Sequence, residues 1–146
     1  MSRVQLALNV SNIDEAVEFY SKLFATEPAK RKPGYANFAI AEPPLKLVLI
    51  EGVGGGTLNH LGVEVETGAE VEAAEARLSG EGVETTGVDD TICCYAAKTE
   101  TWVKDPDGAP WEVYVKTADT EQMTNIVLPE DETAQCCAPA SLVAGA

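Results

Sequence analysis

Two sets of side chains in this sequence could do chemistry together. One set suits a hard metal ion and the other a soft, thiophilic ligand. Gln5, His60 and Glu112 each lie in a stretch where apolar and polar residues alternate, as they do in a β-strand. Alternation puts these three side chains on the strand faces opposite the apolar residues. Histidine is a common transition-metal ligand and glutamate supplies a hard anionic oxygen, so the three are candidate metal ligands if their faces line one interior.

The candidate ligand set departs from a familiar arrangement at one position. Two histidines and a carboxylate, with open coordination positions, hold Fe(II) in non-haem oxygenases. Here Gln5 takes the place of one histidine and offers an amide oxygen. This weakens the site for metals but leaves room for oxygen and substrate. Two simpler interpretations stay open: His60, the only histidine, is structural, and Glu112 is a solvated surface carboxylate.

The four cysteines form two adjacent pairs, Cys93-Cys94 and Cys136-Cys137. Neighbours in a regular strand point to opposite faces, so Cys93 and Cys94 can bind one atom together only in a loop or bulge. Two thiolates suit a soft ion such as trivalent arsenic or cadmium. The alternative for Cys93-Cys94 is one buried and one exposed thiol without a role. Cys136-Cys137 is an incidental pair, an auxiliary thiophile trap, or a pair that closes over the site.

The elements that position these residues repeat along the chain. Residues 4–10 read as a strand, 13–24 as an amphipathic helix, 26–34 as a short edge strand or loop, and 35–41 and 45–51 as strands. After a Gly-rich linker at 52–56, the order recurs as a strand at 59–66, a helix at 70–78, and strands at 85–94, 100–104 and 111–116. A tight turn at 105–108 introduces the last strand. The pattern predicts an α+β fold in which two βαβββ repeats form a curled mixed sheet around a metal site.

Composition limits the partners and the compartment. Ten Lys+Arg against 24 Asp+Glu give a net charge of −14, which argues against nucleic acid and anionic membranes as partners. No run approaches the roughly 20 apolar residues of a membrane helix, and no signal-peptide pattern is visible. Adjacent cysteines are unlike a secreted disulfide framework, so we expect a cytoplasmic protein. We expect one domain at 1–117, with repeats at about 1–52 and 57–117, and an acidic, Ala-rich mobile tail at 118–146.

The same residues support a family resemblance that covers roughly residues 1–117. The fold pattern with Gln5, His60 and Glu112 on matching strands resembles the vicinal oxygen chelate superfamily of glyoxalase, bleomycin-resistance and extradiol-dioxygenase-like proteins. Within it, the chain resembles the family of cadmium-inducible proteins and organoarsenical carbon–arsenic lyases. The stretches that carry this closer match are 4–10, 19–24, 27–41, 43–49, 55–65, 91–95 and 111–114.

This resemblance implies a non-haem Fe(II)-dependent lyase that uses dioxygen to cleave methyl or aromatic groups from trivalent organoarsenicals, giving arsenite. Carried over residue by residue, Gln5, His60 and Glu112 would hold the iron. Cys93 and Cys94 would bind arsenic through their thiolates. Tyr95 and Tyr114 are candidates for a lid or pocket wall, and Cys136 and Cys137 for auxiliary thiols. The preference between methyl and aromatic substrates and the oligomeric state stay open.

Two other functions compete with this one. The cadmium-inducible relatives suggest a resistance protein that binds Cd(II) or As(III) without catalysis. The superfamily also includes glyoxalases and thiol transferases that act on antibiotics, chemistries with no use for Cys93-Cys94. A glyoxalase would usually need a fourth metal ligand, for which Glu51, at the end of its strand beside the Gly-rich linker, is the candidate.

Overall fold

The structure is a computed structural model that describes residues 2–93 and 95–121, with Cys93 described through its backbone alone. Cys94, Cys136, Cys137 and most of the predicted tail therefore lie outside the described residues. The chain divides into two compact units, and the division falls within one strand. We call residues 3–61 the N-terminal unit and the described residues from 62 onward the C-terminal unit. Neither helix in the described part of the chain is long and apolar enough to cross a membrane.

The N-terminal unit contains one helix and a mixed arrangement of strands. Its elements are β1 (Arg3–Val10), α1 (Ile13–Leu23), β2 (Lys30–Lys32), β3 (Tyr35–Ile40), β4 (Leu45–Glu51) and the first part of β5 (Thr57–Glu64). The strand order is β2-β3-β4-β1-β5. Strands β1 and β4 are parallel, whereas β3 pairs antiparallel with both β2 and β4. This register places Gln5 of β1 beside Lys46 of β4.

Helix α1 confirms the predicted amphipathic segment and covers one face of these strands. The Asn12 side chain accepts a hydrogen bond from the Glu15 backbone N–H at 3.0 Å, as an N-cap does. Ile13 and Val17 lie in an apolar cluster with side chains of β1, β3 and β4, among them Phe38. This core occupies the helix side of the strands, so the opposite face is the one available for a polar site.

The C-terminal unit repeats the same order of elements. It contains the end of β5, α2 (Gly68–Gly80), β6 (Asp89–Cys93), β7 (Ala96–Lys104) and β8 (Pro110–Asp119), with strand order β5-β8-β7-β6. Strand β7 pairs antiparallel with β6 and with β8. Each half of the chain thus runs strand, helix, three strands, and the predicted α+β class with two βαβββ repeats is confirmed.

Element boundaries differ from the prediction for identifiable reasons. Helix α2 begins at Gly68 rather than at 70 because Thr67 and Glu70 form a capping box in front of it. Strand β6 begins at Asp89 rather than at 85, after Gly87 with a positive φ of 80°. Strand β7 begins at Ala96, four residues before the predicted start. This last difference matters for the site.

The turn before β8 has the predicted form. The Gly108 backbone N–H donates to the Asp105 carbonyl at 3.0 Å, and Gly108 has a φ of 87°. The Asp105 carboxylate accepts from the backbone N–H of Asp107 and of Ala109. The turn sets the register of the β7–β8 pair, in which Glu112 lies beside Trp102.

Candidate active site

The candidate ligands lie on the more deeply buried faces of their strands. On β1, Gln5 is 3% exposed, whereas Val4 on the opposite face is 47% exposed. On β8, Glu112 is fully buried and Trp111 is partly exposed. The interpretation of Glu112 as a solvated surface carboxylate is therefore wrong. Sequence alternation identified the face correctly, but burial of its polar side chains depends on packing that the alternation does not describe.

Gln5 and His60 lie together in the N-terminal unit. Gln5 is on β1 and His60 is on β5, the next strand in the order, and both side chains are almost fully buried. The Gln5 Nε2 is 3.0 Å from the His60 Nε2. The other imidazole nitrogen of His60, Nδ1, is 2.7 Å from the Oδ1 of Asn59. Both ring nitrogens are therefore hydrogen-bonded to amide side chains, as burial of a polar ring requires.

Glu112 lies in the C-terminal unit within a buried group of charged and polar side chains. The Lys98 Nζ is 3.4 Å from both carboxylate oxygens of Glu112 and 4.0 Å from the Glu100 Oε2. The same ammonium is 4.9 Å from the centre of the Tyr114 ring. Burying a carboxylate is costly unless a counter-charge accompanies it, and Lys98 supplies that charge to Glu112.

Glu100 is the second buried carboxyl of this group. Burial raises the pKa of the Glu100 carboxyl to about 8, and the negative charge of Glu112 adds to this rise, although Lys98 opposes it. The Glu100 carboxyl therefore holds a proton at neutral pH. Thr91 donates a hydrogen bond to the Glu100 Oε1 at 3.0 Å.

Tyr114 is a neutral hydrogen-bond donor in the same group. Burial raises the pKa of its phenol well above the ordinary value, and the negative charges of Glu112 and Glu64 raise it further. Its hydroxyl donates to the Glu64 Oε2 at 3.0 Å. Tyr114 thus belongs to the buried group around Glu112, and its role in a substrate pocket stays a prediction.

Lys98 and Glu100 are site residues that the sequence analysis missed. The predicted strand began at residue 100, which left Lys98 in a loop. In the structure β7 starts at Ala96, so Lys98 and Glu100 share one strand face with Trp102, the register partner of Glu112. Residues 96–100 show no alternation of apolar and polar types, so the sequence carries no clear signal that the strand extends back to Lys98.

The described residues on either side of Cys94 belong to two paired antiparallel strands. Strand β6 ends at Cys93, whose register partner is Ala96 at the start of β7. Tyr95 lies in the turn with a φ of 61°, a left-handed conformation that costs a non-glycine residue roughly 1–2 kcal/mol. The Tyr95 carbonyl accepts from the Thr120 N–H at 2.8 Å. Joint binding by Cys93 and Cys94 stays a prediction, because Cys94 lies outside the described residues.

Glu51, the candidate fourth ligand of a glyoxalase-like site, is engaged elsewhere. Its Oε2 accepts a hydrogen bond of 2.7 Å from the Ile13 backbone N–H, at the first residue of α1. A carboxylate at a helix N-terminus is stabilised by the helix dipole and satisfies a free N–H group. Glu51 therefore has a structural role at the start of this helix.

The donors fit a hard or borderline divalent ion. The 3.0 Å spacing between Gln5 and His60 matches the ~3 Å separation of neighbouring ligands around an octahedral ion with bonds of ~2.1 Å. Rotating the Gln5 amide by 180° exchanges Nε2 and Oε1, so its oxygen can take this position. Within the described ranges, no group of three or more His, Cys, Asp or Glu side chains could hold a metal. A metal site built from these residues therefore needs another ligand type, such as the Gln5 amide.

Comparison with known proteins identifies the family and the fold. The family model described as Glyoxalase/Bleomycin resistance protein/Dioxygenase superfamily matches residues 3–113. Among solved structures, the chain is similar to the Mn(II)-bound glyoxalase from Novosphingobium aromaticivorans, with a TM-score of 0.60 and 18% identity. That match covers 92% of this chain and 45% of the other. At this identity the similarity supports the fold alone.

Two curated relatives are much closer in sequence. The Trivalent organoarsenical cleaving enzyme of Thermomonospora curvata is 54% identical over 141 residues, which cover 95% of this chain and 90% of the relative. Cadmium-induced protein CadI of Mycobacterium tuberculosis is 54% identical over 142 residues, which cover 94% of this chain and 93% of the relative. Together with the family model, these matches establish that the chain belongs to the Glyoxalase/Bleomycin resistance protein/Dioxygenase superfamily.

Proposed function

We propose that this protein cleaves the carbon–arsenic bond of trivalent organoarsenicals in the cytoplasm, with Fe(II) as its metal and dioxygen as co-substrate. The observation that carries the proposal is the 54% identity, over 95% of the chain, to a relative named as a trivalent organoarsenical cleaving enzyme. The buried donors Gln5, His60 and Glu112 support it, because amide oxygen, imidazole and carboxylate suit a ferrous ion.

Ligand chemistry separates the proposed iron site from the proposed arsenic site. Gln5, His60 and Glu112 would hold the iron, which supplies the dioxygen chemistry when bound. Cys93 and Cys94 would bind arsenic as thiolates, because soft sulfur suits a thiophilic atom and hard oxygen does not. Fixing arsenic at two sulfurs would orient the attached carbon for attack and so lower the barrier through positioning.

The residues around Glu112 control charge and water. Lys98 balances the carboxylate, Glu100 retains its proton, and Tyr114 offers an O–H to Glu64 rather than a charge. All of these except Glu64 are almost fully buried. Burial makes the Glu112 carboxylate a stronger ligand than an exposed carboxylate would be, since electrostatic attraction increases at low dielectric. Tyr95, in the strained hairpin turn, would act as a lid over bound arsenic.

Arsenic speciation after anaerobic loading tests the activity. The purified protein is reconstituted with Fe(II), given a trivalent methyl- or phenylarsenical, and exposed to air. We expect arsenite and an organic product, both dependent on iron and air. Cys93→Ser or Cys94→Ser should abolish organoarsenical binding while iron stays bound. Loss of iron in these variants would contradict the assignment of separate sites.

A second function is supported by the relative named as cadmium-induced, which is equally similar. In that case the thiols capture Cd(II) or As(III) without turnover. The same assay separates the two functions, because capture gives stoichiometric binding and unchanged organoarsenical under air. Cadmium titration of Cys93→Ser and of Cys136→Ser would then identify which cysteine pair binds.

A further inference from the structure

A chain of polar side chains connects His60 to the Gly-rich segment at 52–56 within the N-terminal unit. Asn59 Nδ2 donates to Asn9 Oδ1 at 3.0 Å, and Asn9 Nδ2 donates to Thr57 Oγ1 at 3.0 Å. The Thr57 hydroxyl donates to the Gly54 carbonyl. We call Asn59, Asn9 and Thr57 the amide relay. It begins at His60, where Nδ1 lies 2.7 Å from the Asn59 Oδ1.

The Gly54 backbone carbonyl lies at the end of the amide relay that is remote from His60. It sets the direction of every hydrogen bond in the relay. A carbonyl only accepts, so Thr57 must use its single O–H on Gly54 and accept from Asn9. Asn9 then presents its NH2 group to Thr57 and its Oδ1 to Asn59. Asn59 in turn presents its Oδ1 to His60. A neutral imidazole must therefore carry its proton on Nδ1, which leaves the acceptor lone pair on Nε2.

Gln5 cannot set this tautomer once it binds a metal. In the structure its Nε2 donates to the His60 Nε2, which agrees with the relay. A metal ligand role requires the Gln5 amide to present Oε1 instead, and then Gln5 no longer offers a donor at that position. The Asn59 Oδ1 on the Nδ1 side of the ring still favours the same tautomer, which is the general role of partners behind metal-bound histidines.

The Gly-rich segment, expected to be a flexible linker, is held in place at the end of the relay. The backbone N–H groups of Gly52 and Gly56 donate to the carbonyls of Val10 and Asn9 at 3.0 and 2.9 Å. A Cβ on Gly55 would lie 2.0 Å from the Ser11 Oγ and 2.7 Å from the Ser11 N, so only glycine fits this approach. The segment thus places the Gly54 carbonyl where Thr57 can donate to it.

We propose that Asn59, oriented by Asn9, Thr57 and the Gly54 carbonyl, is a positioning residue that holds His60 with its proton on Nδ1 and its Nε2 lone pair turned to the metal. The link to iron rests on the proposed function, whereas the assignment of the His60 tautomer rests on the hydrogen bonds alone. The inference adds a role for the 52–59 segment that the metal ligands alone do not explain.

The test is an NMR measurement on the metal-free protein, labelled with 15N-histidine. Because the chain has one histidine, the long-range 1H–15N spectrum reports His60 alone. We expect the wild type to show a protonated Nδ1 and an unprotonated Nε2. Asn59→Leu, which removes the acceptor at similar volume, should move the proton partly or fully to Nε2. Asn59→Asp, which keeps an acceptor oxygen, should retain the wild-type tautomer. In the metal-free protein Gln5 also favours this tautomer, so the decisive variant combines Asn59→Leu with Gln5→Leu. A folded double variant that keeps the wild-type tautomer would overturn the proposal.

The affinity for Co(II) provides a second measurement. Asn59→Leu should weaken Co(II) binding by about 10–100-fold, the usual effect of losing the partner of a metal-bound histidine, and Asn59→Asp should restore it.

If Asn59→Leu fails to fold, Thr57→Val provides the test, because it removes the hydroxyl that fixes the direction of both amides. Mixed tautomers in Thr57→Val support the relay, and an unchanged spectrum overturns it. Absence of carbon–arsenic cleavage in a wild type that keeps the Nδ1–H tautomer would count against the proposed function alone.

Discussion

The two units prepare their candidate ligands in opposite ways. In the N-terminal unit, Gln5 and His60 are uncharged, and hydrogen bonds that end on the Gly54 carbonyl orient the imidazole. In the C-terminal unit, Glu112 is an anion whose burial depends on the charge of Lys98. Neutral donors can be buried once their hydrogen bonds are satisfied, whereas a buried carboxylate also needs a counter-ion. The comparison predicts that the first unit is sensitive to hydrogen-bond geometry and the second to charge.

The largest expected effect comes from removing the only anionic ligand. Glu112→Gln should weaken Fe(II) or Co(II) binding by more than ~100-fold and abolish organoarsenical cleavage, because a first ligand matters more than its supporting partners. Isothermal titration with Co(II) measures the affinity. Glu72→Gln, the same change at an exposed position on α2, is the matched control and should bind metal normally. Equal affinity in both variants would remove Glu112 from the ligand set.

The charge dependence of the C-terminal unit can be tested at Lys98. Lys98→Met should lower the free energy of unfolding of the metal-free protein by about 3–5 kcal/mol, because it leaves Glu112 buried without its cation. Saturating Co(II) should recover part of this loss, since a bound cation stabilises the folded protein. Urea denaturation with and without metal measures both quantities.

Lys22→Met is the matched control for that experiment. Lys22 pairs with Glu18 at 2.9 Å, but both side chains are more than two-thirds exposed. An exposed pair contributes ~1 kcal/mol or less. If Lys98→Met and Lys22→Met lower the free energy of unfolding equally, burial does not strengthen the Lys98–Glu112 pair. The C-terminal unit would then not be more sensitive to charge, contrary to the comparison of the two units.

A smaller effect is expected at the Tyr114 hydroxyl. Tyr114→Phe removes the 3.0 Å hydrogen bond to Glu64 but keeps the ring beside Lys98. The free energy of unfolding should fall by about 1 kcal/mol, and Co(II) affinity should stay within about threefold of wild type. A much larger loss of metal affinity would mean that the phenol acts on Glu112 directly.

The smallest effect on stability has the opposite sign and concerns the hairpin turn. Tyr95→Gly should raise the free energy of unfolding by about 0.5–1 kcal/mol, because glycine adopts a φ of 61° without strain. If Tyr95 also covers bound arsenic, turnover should fall while Co(II) affinity stays unchanged. Ala39→Gly, at an exposed position in the regularly paired strand β3, is the control and should destabilise the protein. A less stable Tyr95→Gly variant would show that the side chain contributes packing that outweighs the strain.

Local sequence patterns were sufficient to predict much of the fold and to select the candidate ligands. The amphipathic pattern at 13–24 indicated α1, and the tight turn at 105–108 indicated the start of β8. Alternation placed Gln5 and Glu112 opposite the apolar faces of their strands. Each of these inferences depends on residues within one helix turn or one strand, where spacing and structure are directly related.

Lys98, Glu100 and the amide relay depend on contacts between distant segments. Lys98 reaches Glu112 only because β7 starts at Ala96 and pairs with β8. Asn9 and Asn59 are 50 residues apart, and nothing in either strand alone indicates that their amides meet. Burial of Glu112 and the raised pKa of Glu100 are likewise properties of the packed unit. The sequence by itself determined which donors exist and which strand faces carry them. Only the tertiary structure decided which polar groups surround each donor, because pairing between distant strands brings those groups together.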